Sequence, residues 1–175
     1  MRVPSPQRFA APLGLRVRLL TWLSLGLCPA ICLVNLVLVR FGTLPPPDAW
    51  IVVLAPLIGL PVIGLVVLLS RIRGFRVEGT RLIVERVGRA TVLDLAGLLD
   101  ATVDRAALRW AWKTCGNDGA GAICGRFYSR RLGSFRAFVT DPANAVLLRW
   151  PDHTVVVSPA RPAAFVADLR RRTGL

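Results

Sequence analysis

Nucleophilic and metal-binding side chains are few in this chain of 175 residues. Cys28 and Cys32 lie within an apolar run, whereas Cys115, Cys124 and the single histidine, His153, lie in the polar part of the sequence. A thiol enzyme needs a cysteine activated by a neighbouring base, and a structural zinc site needs four nitrogen or sulfur ligands. A dyad of Cys115 and His153 would rest on coincidence, and the set of zinc ligands is incomplete. We therefore predict no catalytic residue, no metal ligand and no cofactor.

Arginine offers a different chemistry, the attraction of anions. The chain has 23 basic residues, of which one is lysine, and ten acidic residues. The residues most open to a function surround a predicted hairpin: Arg126, Tyr128, Arg130, Arg131 and Arg136. Alternation along a strand places Arg126, Tyr128 and Arg130 on one side, where they could contact anionic lipid or a protein partner. The alternative is a hairpin face that is merely solvated.

Two apolar runs without a charged residue, 19–39 and 49–70, place this chemistry beside a membrane. At about 1.5 Å per residue, a helix of roughly 21 residues reaches about 31 Å, close to the ~30 Å hydrocarbon core of a bilayer. Both runs are predicted to be transmembrane helices, joined by a short extracytoplasmic loop at residues 40–48. A cleaved signal peptide and a buried core helix are less favoured, because the first run is too long for a signal peptide and a second run follows it.

The distribution of arginine predicts the orientation of these helices. Residues 1–18 carry four arginines and no acidic residue, and Arg71 and Arg73 follow the second run, whereas the loop contains Asp48. Since cytoplasmic flanks are enriched in basic residues, both termini are predicted to be cytoplasmic, in a multi-pass protein of the cell membrane. These flanks also account for nearly half of the net charge of +13, which weakens basicity as an indication of nucleic-acid binding.

From residue 74 the apolar residues alternate, which indicates β-strands. Short strands are predicted at residues 74–78, 81–87, 90–95, 101–103, 108–113, 126–131, 135–140, 146–150 and 154–157. A closing amphipathic helix is predicted from Ser158 onward, since Phe165 and Leu169 recur at helical spacing. Residues 74–175 are thus predicted to form a mainly β domain of about seven antiparallel strands in an open barrel, capped by the C-terminal helix. An orthogonal sandwich is the alternative.

The order of these elements resembles the pleckstrin-homology (PH) superfold. In detail, the sequence is similar to the bacterial PH-domain family at Trp110, Trp112, and residues 116–121, 125–129, 132–135 and 138–141. The resemblance covers about residues 75–169, and it implies a PH fold held at a membrane by preceding spans, with no assigned activity. Eukaryotic PH domains that bind phosphoinositides use a basic loop between the first two strands, whereas the turn at residues 78–81 is too short for such a pocket.

Together these inferences predict an integral membrane protein whose cytoplasmic PH-like domain is a non-catalytic interaction or scaffolding module. Contact of the basic face with anionic lipid headgroups is the alternative, and a thiol enzyme using Cys115 or Cys124 is the third hypothesis. The expected partners are membrane lipids, a second copy of the chain or another membrane protein. Neither a nucleic acid nor a small-molecule substrate is expected.

Overall fold

The structure of the protein is a computed structural model that describes residues 6–41, 58–59 and 61–175. Its helices and strands within these ranges are β1 (Gln7–Ala10), α1 (Leu15–Arg40), α2 (Pro61–Ser70), β2 (Ile72–Glu78), β3 (Arg81–Arg86), β4 (Arg89–Asp94), β5 (Asp100–Val103), β6 (Trp112–Asp118), β7 (Ile123–Ser129), β8 (Gly133–Val139), β9 (Val146–Arg149), β10 (Thr154–Val157) and α3 (Pro162–Thr173). A short 3-10 helix at Pro142–Asn144 connects β8 to β9.

The strands form two sheets. β1 to β4 make a four-stranded antiparallel sheet in chain order, and the other strands make a six-stranded sheet in the order β5-β9-β10-β8-β7-β6. The 3-10 helix leads from β8 to β9, which lies two positions away from β8 in the sheet. The β9–β10 hairpin then places β10 between β9 and β8, antiparallel to β9 and parallel to β8.

The predicted mainly β domain with a C-terminal helix is confirmed, but its arrangement differs from the prediction. The described strands after α2 number nine rather than about seven, they belong to two sheets rather than one open barrel, and one pairing is parallel. The nine segments predicted one by one agree with this number, so the estimate of about seven strands in an open barrel was too low. The parallel pairing depends on a crossover that local periodicity does not reveal.

The main core lies between the two sheets and α3. Inward-facing residues of β2 and β3 are Phe75, Val77, Leu82 and Val84. From α3, Phe165 and Leu169 enter the same core with no exposed surface. A second cluster covers the opposite face of the six-stranded sheet, where Val17 of α1 packs beside Phe127 and Phe135. The first turn of α1 is thereby part of the hydrophobic core.

The closing helix begins at Pro162, later than the predicted start near Ser158. Ser158 is buried, and its hydroxyl oxygen accepts hydrogen bonds from the backbone N–H groups of Thr140 at 2.8 Å and Asp141 at 3.2 Å. Because that hydroxyl joins two strand ends, it does not cap the helix. Pro162 instead occupies the first turn, where its missing N–H costs nothing.

β1 is the element that the sequence did not predict, since residues 1–18 read only as a basic flank. It pairs antiparallel with β2, so that Phe9 lies opposite Phe75. Phe9 is buried, and the backbone N–H of Ala160 donates to the carbonyl of Ala10 at 2.8 Å. The sheet therefore includes a strand from the segment that precedes α1.

α1 is, among the described residues, the helix that is long and apolar enough to cross a membrane, and it contains the predicted first span at residues 19–39. Of the predicted second span, residues 49–57 and 60 lie outside the described residues, and Pro61–Ser70 is a short apolar helix. Large apolar side chains of both helices are exposed, including Leu27 and Leu65.

Candidate functional site

The two apolar helices contact the domain at one end of the six-stranded sheet, at the β6–β7 turn. The backbone N–H of Gly121 donates to the Thr21 hydroxyl of α1 at 2.9 Å. A methyl group added at Gly121 would lie 2.4 Å from the carbonyl oxygen of Val67 in α2, so the turn approaches α2 too closely for any side chain. On α1, Arg16 also forms an ion pair with Asp118 at 3.5 Å. We call this the helix end of the domain.

Four arginines line a cleft of about 600 Å³ beside the last turns of α2. The arginine cleft, as we name it, is defined by Arg86, Arg89, Arg126 and Arg136. Val66 and Ser70 of α2 and the ring of Phe138 complete its walls. Two guanidinium groups therefore come from each sheet, and an apolar helix closes the space between them.

Local β-structure positions these four side chains as two cross-strand pairs. Arg86 and Arg89 face each other across the tight β3–β4 turn, where Gly88 adopts φ 74°. Arg126 of β7 lies directly opposite Arg136 of β8. Like charges placed directly opposite each other destabilise a sheet. Each sheet thus contributes one pair of arginines whose positive charges repel each other, and the two pairs lie side by side at the cleft.

Few groups in the described chain offset the positive charges of these four guanidinium groups. Arg86 donates from Nη2 to the Thr91 hydroxyl at 2.6 Å, and its buried Nε has no acceptor among the described residues. Burial lowers the pKa of Arg86, and the positive charge of Arg89 lowers it further. The Cζ atoms of Arg86 and Arg136 lie 5.4 and 5.3 Å from the centre of the Phe138 ring, within the range of cation–π contact.

The predicted contact residues do not share one surface. Arg126 and Arg136 line the arginine cleft, whereas Arg130 and Arg131 lie at the β7–β8 turn, where Arg131 pairs with Asp104 at 2.5 Å. Tyr128 is half exposed on β7 between the two places. Because β7 rises about 3.3 Å per residue, the turn lies roughly 20 Å from the helix end of the domain.

A second concave surface of about 590 Å³ lies at that distant end. The tryptophan groove, as we name it, is defined by Trp110, Trp112, Arg109, Arg130 and Arg131. Trp110 and Trp112 are 81% and 76% exposed. Trp110 also adopts φ 58°, a left-handed conformation that is uncommon for a bulky residue. Two large aromatic rings are thus held in solvent beside three arginines.

Cys115 and Cys124 do not form a reactive centre with His153. Burial raises the pKa of Cys124 to about 11, although Arg86 and Arg89 oppose that rise. Its thiol lies 3.8 Å from the carbonyl oxygen of Ser70. Cys115 is exposed on β6, whereas His153 lies at the β9–β10 turn, three strand spacings or about 14 Å across the sheet. In the described ranges no three His, Cys, Asp or Glu residues cluster as metal ligands.

Arg86 and Arg89 are the cleft residues that sequence reasoning missed. The local signal was present, because two arginines flank a two-residue turn at Val87 and Gly88. What the sequence could not supply was the approach of this turn to β7 and β8, which belong to the other sheet.

Comparison with protein families gives one match. A family model described as a bacterial PH domain matches residues 75–173, which extend from β2 to the end of α3. Neither the curated proteins nor the solved structures include a significant match to the chain. The match includes Arg86, Arg89, Arg126 and Arg136, but β1 and α1 lie outside it.

Proposed function

The chain belongs to the bacterial PH domain family, and from this membership we propose that it is a membrane-anchored, non-catalytic interaction module. PH domains are generally non-catalytic and typically serve as interaction modules. The raised pKa of Cys124 and the separation of Cys115 from His153 support a non-catalytic role, because a thiol nucleophile requires a lowered pKa or an adjacent base.

The pairing of β1 with β2 is the observation that carries the membrane proposal. β1 precedes α1 and β2 follows α2, yet the two strands are hydrogen-bonded in one sheet. If α1 crosses a membrane, the chain must cross back before β2 begins. The apolar residues 49–70 supply the means, and the exposed apolar side chains of α1 and α2 require a non-aqueous environment. A two-span hairpin meets both requirements, because it returns the chain to the side of β1 and surrounds the apolar side chains with lipid.

The orientation proposed for this hairpin follows the arginines. Both flanks of the hairpin are basic, so the domain and both termini lie on the cytoplasmic side of the cell membrane. Only Arg71 separates α2 from β2, and the helix end of the domain contacts both helices. The domain is therefore held against the membrane surface, with the tryptophan groove facing away from it.

The tryptophan groove is the surface proposed to bind a protein partner. Tryptophan and arginine are the residue types most enriched among the energetically dominant residues of protein interfaces. Arg109 and Arg130 have no ion pair in the described part of the chain, so an acidic partner surface would complement them. A second copy of the chain or another membrane protein can supply such a surface.

Cysteine labelling in intact cells tests the anchoring. Cys115 is exposed and Cys124 is buried, so Cys115 is the reporter. We expect a membrane-impermeant maleimide to leave Cys115 unmodified until the membrane is opened, and alkaline carbonate to leave the chain in the membrane fraction. Labelling of Cys115 before permeabilisation would contradict the orientation, and extraction by carbonate would contradict the anchoring.

Photo-crosslinking tests the interaction surface. A photoreactive amino acid in place of Trp112 should form a discrete crosslinked product in intact membranes. The same group in place of Val92, an exposed apolar residue of β4, should not. Equal amounts of crosslinked product from positions 112 and 92 would argue against a specific role of the tryptophan groove.

Contact with anionic lipid is the second candidate function. The arginine cleft favours it, because four cations lie beside the end of an apolar helix. Lipid contact through Arg130 and Arg131 is less compatible with the fold, since the β7–β8 turn lies at the end of the domain away from the helices.

A further inference from the structure

We infer that the arginine cleft is a binding site for a phosphoryl group, and that the headgroup of an anionic phospholipid supplies this group. The inference deepens the proposed function and rests on the anchoring of α1 and α2 in the membrane. The residues assigned to the site are Arg86, Arg89, Arg126 and Arg136.

The cleft has the donors and the space that a phosphate ester needs. Each guanidinium group offers up to five N–H donors in a planar fork that matches phosphate oxygens. About 600 Å³ lies within the usual volume of small-ligand sites, roughly 300–1,000 Å³. Asn117 adds a further polar side chain to the lining, and no carboxylate lines the cleft within the described chain.

The electrostatics of the cleft favour an anion over a neutral ligand. Arg86 and Arg89 are a like-charged cross-strand pair, and Arg126 and Arg136 are a second one. Within the described chain none of the four forms an ion pair, in contrast to Arg76, which pairs with Glu78 and Glu85. A bound phosphate would offset both repulsions at once, through charge-assisted hydrogen bonds from the guanidinium groups.

The position of the cleft identifies lipid as the source of the phosphate. Val66 and Ser70, which lie one turn apart at the end of α2, form one wall. Exposed apolar residues such as Leu65 and Leu69 place that turn at the boundary of the hydrocarbon. The headgroup layer occupies roughly 5–7 Å beyond this boundary, so lipid phosphates lie at the level of the four guanidinium groups.

The test uses the full chain, purified in a neutral detergent and freed of bound lipid. Three probes are titrated at constant ionic strength: a short-chain phosphatidylglycerol, phosphatidylcholine of the same chain length, and inorganic phosphate. The midpoint of thermal unfolding, followed by tryptophan fluorescence, reports binding, because a ligand of the folded state raises it. Phosphatidylcholine controls for contacts made by the lipid tails.

The decisive variant is Arg89→Gln/Arg126→Gln/Arg136→Gln, which removes three exposed cations of the cleft. The matched control is Arg81→Gln/Arg149→Gln/Arg161→Gln, which removes three exposed cations from elsewhere on the domain. Phosphatidylglycerol should raise the midpoint of the wild type and of the control. In the cleft variant its apparent Kd should be weaker by roughly a hundredfold, since each arginine near an anionic surface contributes about a fivefold factor.

Each outcome is informative. Equal responses of the cleft variant and the control to every probe would overturn the inference. A rise with inorganic phosphate that matches the rise with phosphatidylglycerol would retain the phosphoryl site but overturn the lipid source. If the triple variant does not fold, two single substitutions of exposed arginines replace it. Arg89→Gln and Arg126→Gln should each weaken the binding of phosphatidylglycerol about fivefold. Failure of the anchoring would appear separately, as release of the wild-type chain by alkaline carbonate.

Discussion

The ring of Phe9 meets the ring of Phe165 edge to face, with centroids 5.1 Å apart and planes at 89°. One residue precedes the first apolar helix and the other lies in the last helix, yet both are buried in the same core. Phe75 of β2 completes this contact, with its ring centroid 6.3 Å from that of Phe165. The segment before α1 is therefore a structural part of the PH-like domain.

The first prediction is that Phe9 contributes to stability as strongly as a residue inside the matched family region. Phe9→Ala and Phe165→Ala should each lower the free energy of unfolding by about 3–5 kcal/mol. The stability loss of the double variant should be smaller than the sum of the two single losses by roughly 0.5–1.5 kcal/mol, because each single variant already removes the edge-to-face contact. Chemical unfolding of the full chain in detergent measures these values.

Phe41→Ala is the control for these variants, because Phe41 is 78% exposed at the end of α1. It should leave the unfolding free energy of the domain within about 0.5 kcal/mol. If Phe9→Ala behaved like this control, β1 would not be an integral strand of the domain.

The limits of sequence prediction are clear at β1 and β6. β1 is four residues long and has one buried side chain, Phe9, so it carries no alternating pattern. β6 is an edge strand whose residues are nearly all exposed, and the strand predicted at residues 108–113 shares only residues 112 and 113 with it. In β3, buried and less buried residues alternate, whereas β10 is mostly apolar. The predicted bounds of both strands agree with the structure to within one residue. Burial creates the pattern that makes a strand predictable.

The second prediction concerns the contact between the β6–β7 turn and α2. Gly121→Ala should destabilise the protein for two reasons: a left-handed φ of 83° costs about 1–2 kcal/mol, and the added methyl group would meet the Val67 carbonyl at 2.4 Å. Gly97→Ala is the matched control, since Gly97 has φ 72° but no atom within 4 Å of an added methyl group.

The measurement is the thermal midpoint of both variants, together with the rate at which Cys124 reacts with maleimide. The Gly121 variant should lose more stability than the Gly97 variant by about 1–3 kcal/mol, and Cys124 should react faster in it. Equal losses of stability in the two variants would mean that α2 moves away from the added methyl group at little cost in free energy. The domain would then not be packed tightly against α2.

The candidate site was predictable in part, and the reason is topological. Arg126 and Arg136 could be assigned to one place because they belong to a hairpin, whose register is local. Arg86 and Arg89 belong to the other sheet, and their approach depends on how the two sheets pack. Periodicity reports which face of a strand is buried but not which distant strand it meets.

The third prediction is a loss of stability at alkaline pH that depends on Cys124. Burial raises the pKa of Cys124 from 9.0 to about 11, so the folded state keeps its proton where the unfolded state releases it. The resulting stabilisation is fully present below pH 9 and is lost as the pH rises to about 11, by at most roughly 2–3 kcal/mol.

Urea unfolding at about pH 8 and about pH 10.5 measures this effect. The wild type and Cys115→Ala, which changes an exposed thiol, should lose more stability between the two pH values than Cys124→Ala does. If the three proteins lost stability equally, the Cys124 thiol would be as accessible to water as the Cys115 thiol.

The fourth prediction concerns Asp168, a buried carboxylate on the core side of α3. It accepts from Arg172 Nε at 2.8 Å and from Arg171, and the side-chain amide of Gln7, oriented with its nitrogen inward, donates to Oδ1 at 3.0 Å. Asp168 thereby joins α3 to β1 beside the contact of Phe9 with Phe165. Breaking a buried ion pair is costly because the remaining charge has lost its partner carboxylate in a poorly solvated site.

Asp168→Asn should therefore lower the free energy of unfolding by about 3–5 kcal/mol. Asp152→Asn provides the control, since Asp152 is 82% exposed and contacts His153 at the surface, where water screens the interaction and its loss should change the stability very little. Unfolding in urea distinguishes the two, and a Gln7→Ala variant should show a smaller loss of about 1–3 kcal/mol, because one hydrogen bond to a charged group is removed. A loss at Asp168 no larger than at Asp152 would mean that water already reaches the carboxylate, and the joint between β1 and α3 would then depend on the aromatic contact alone.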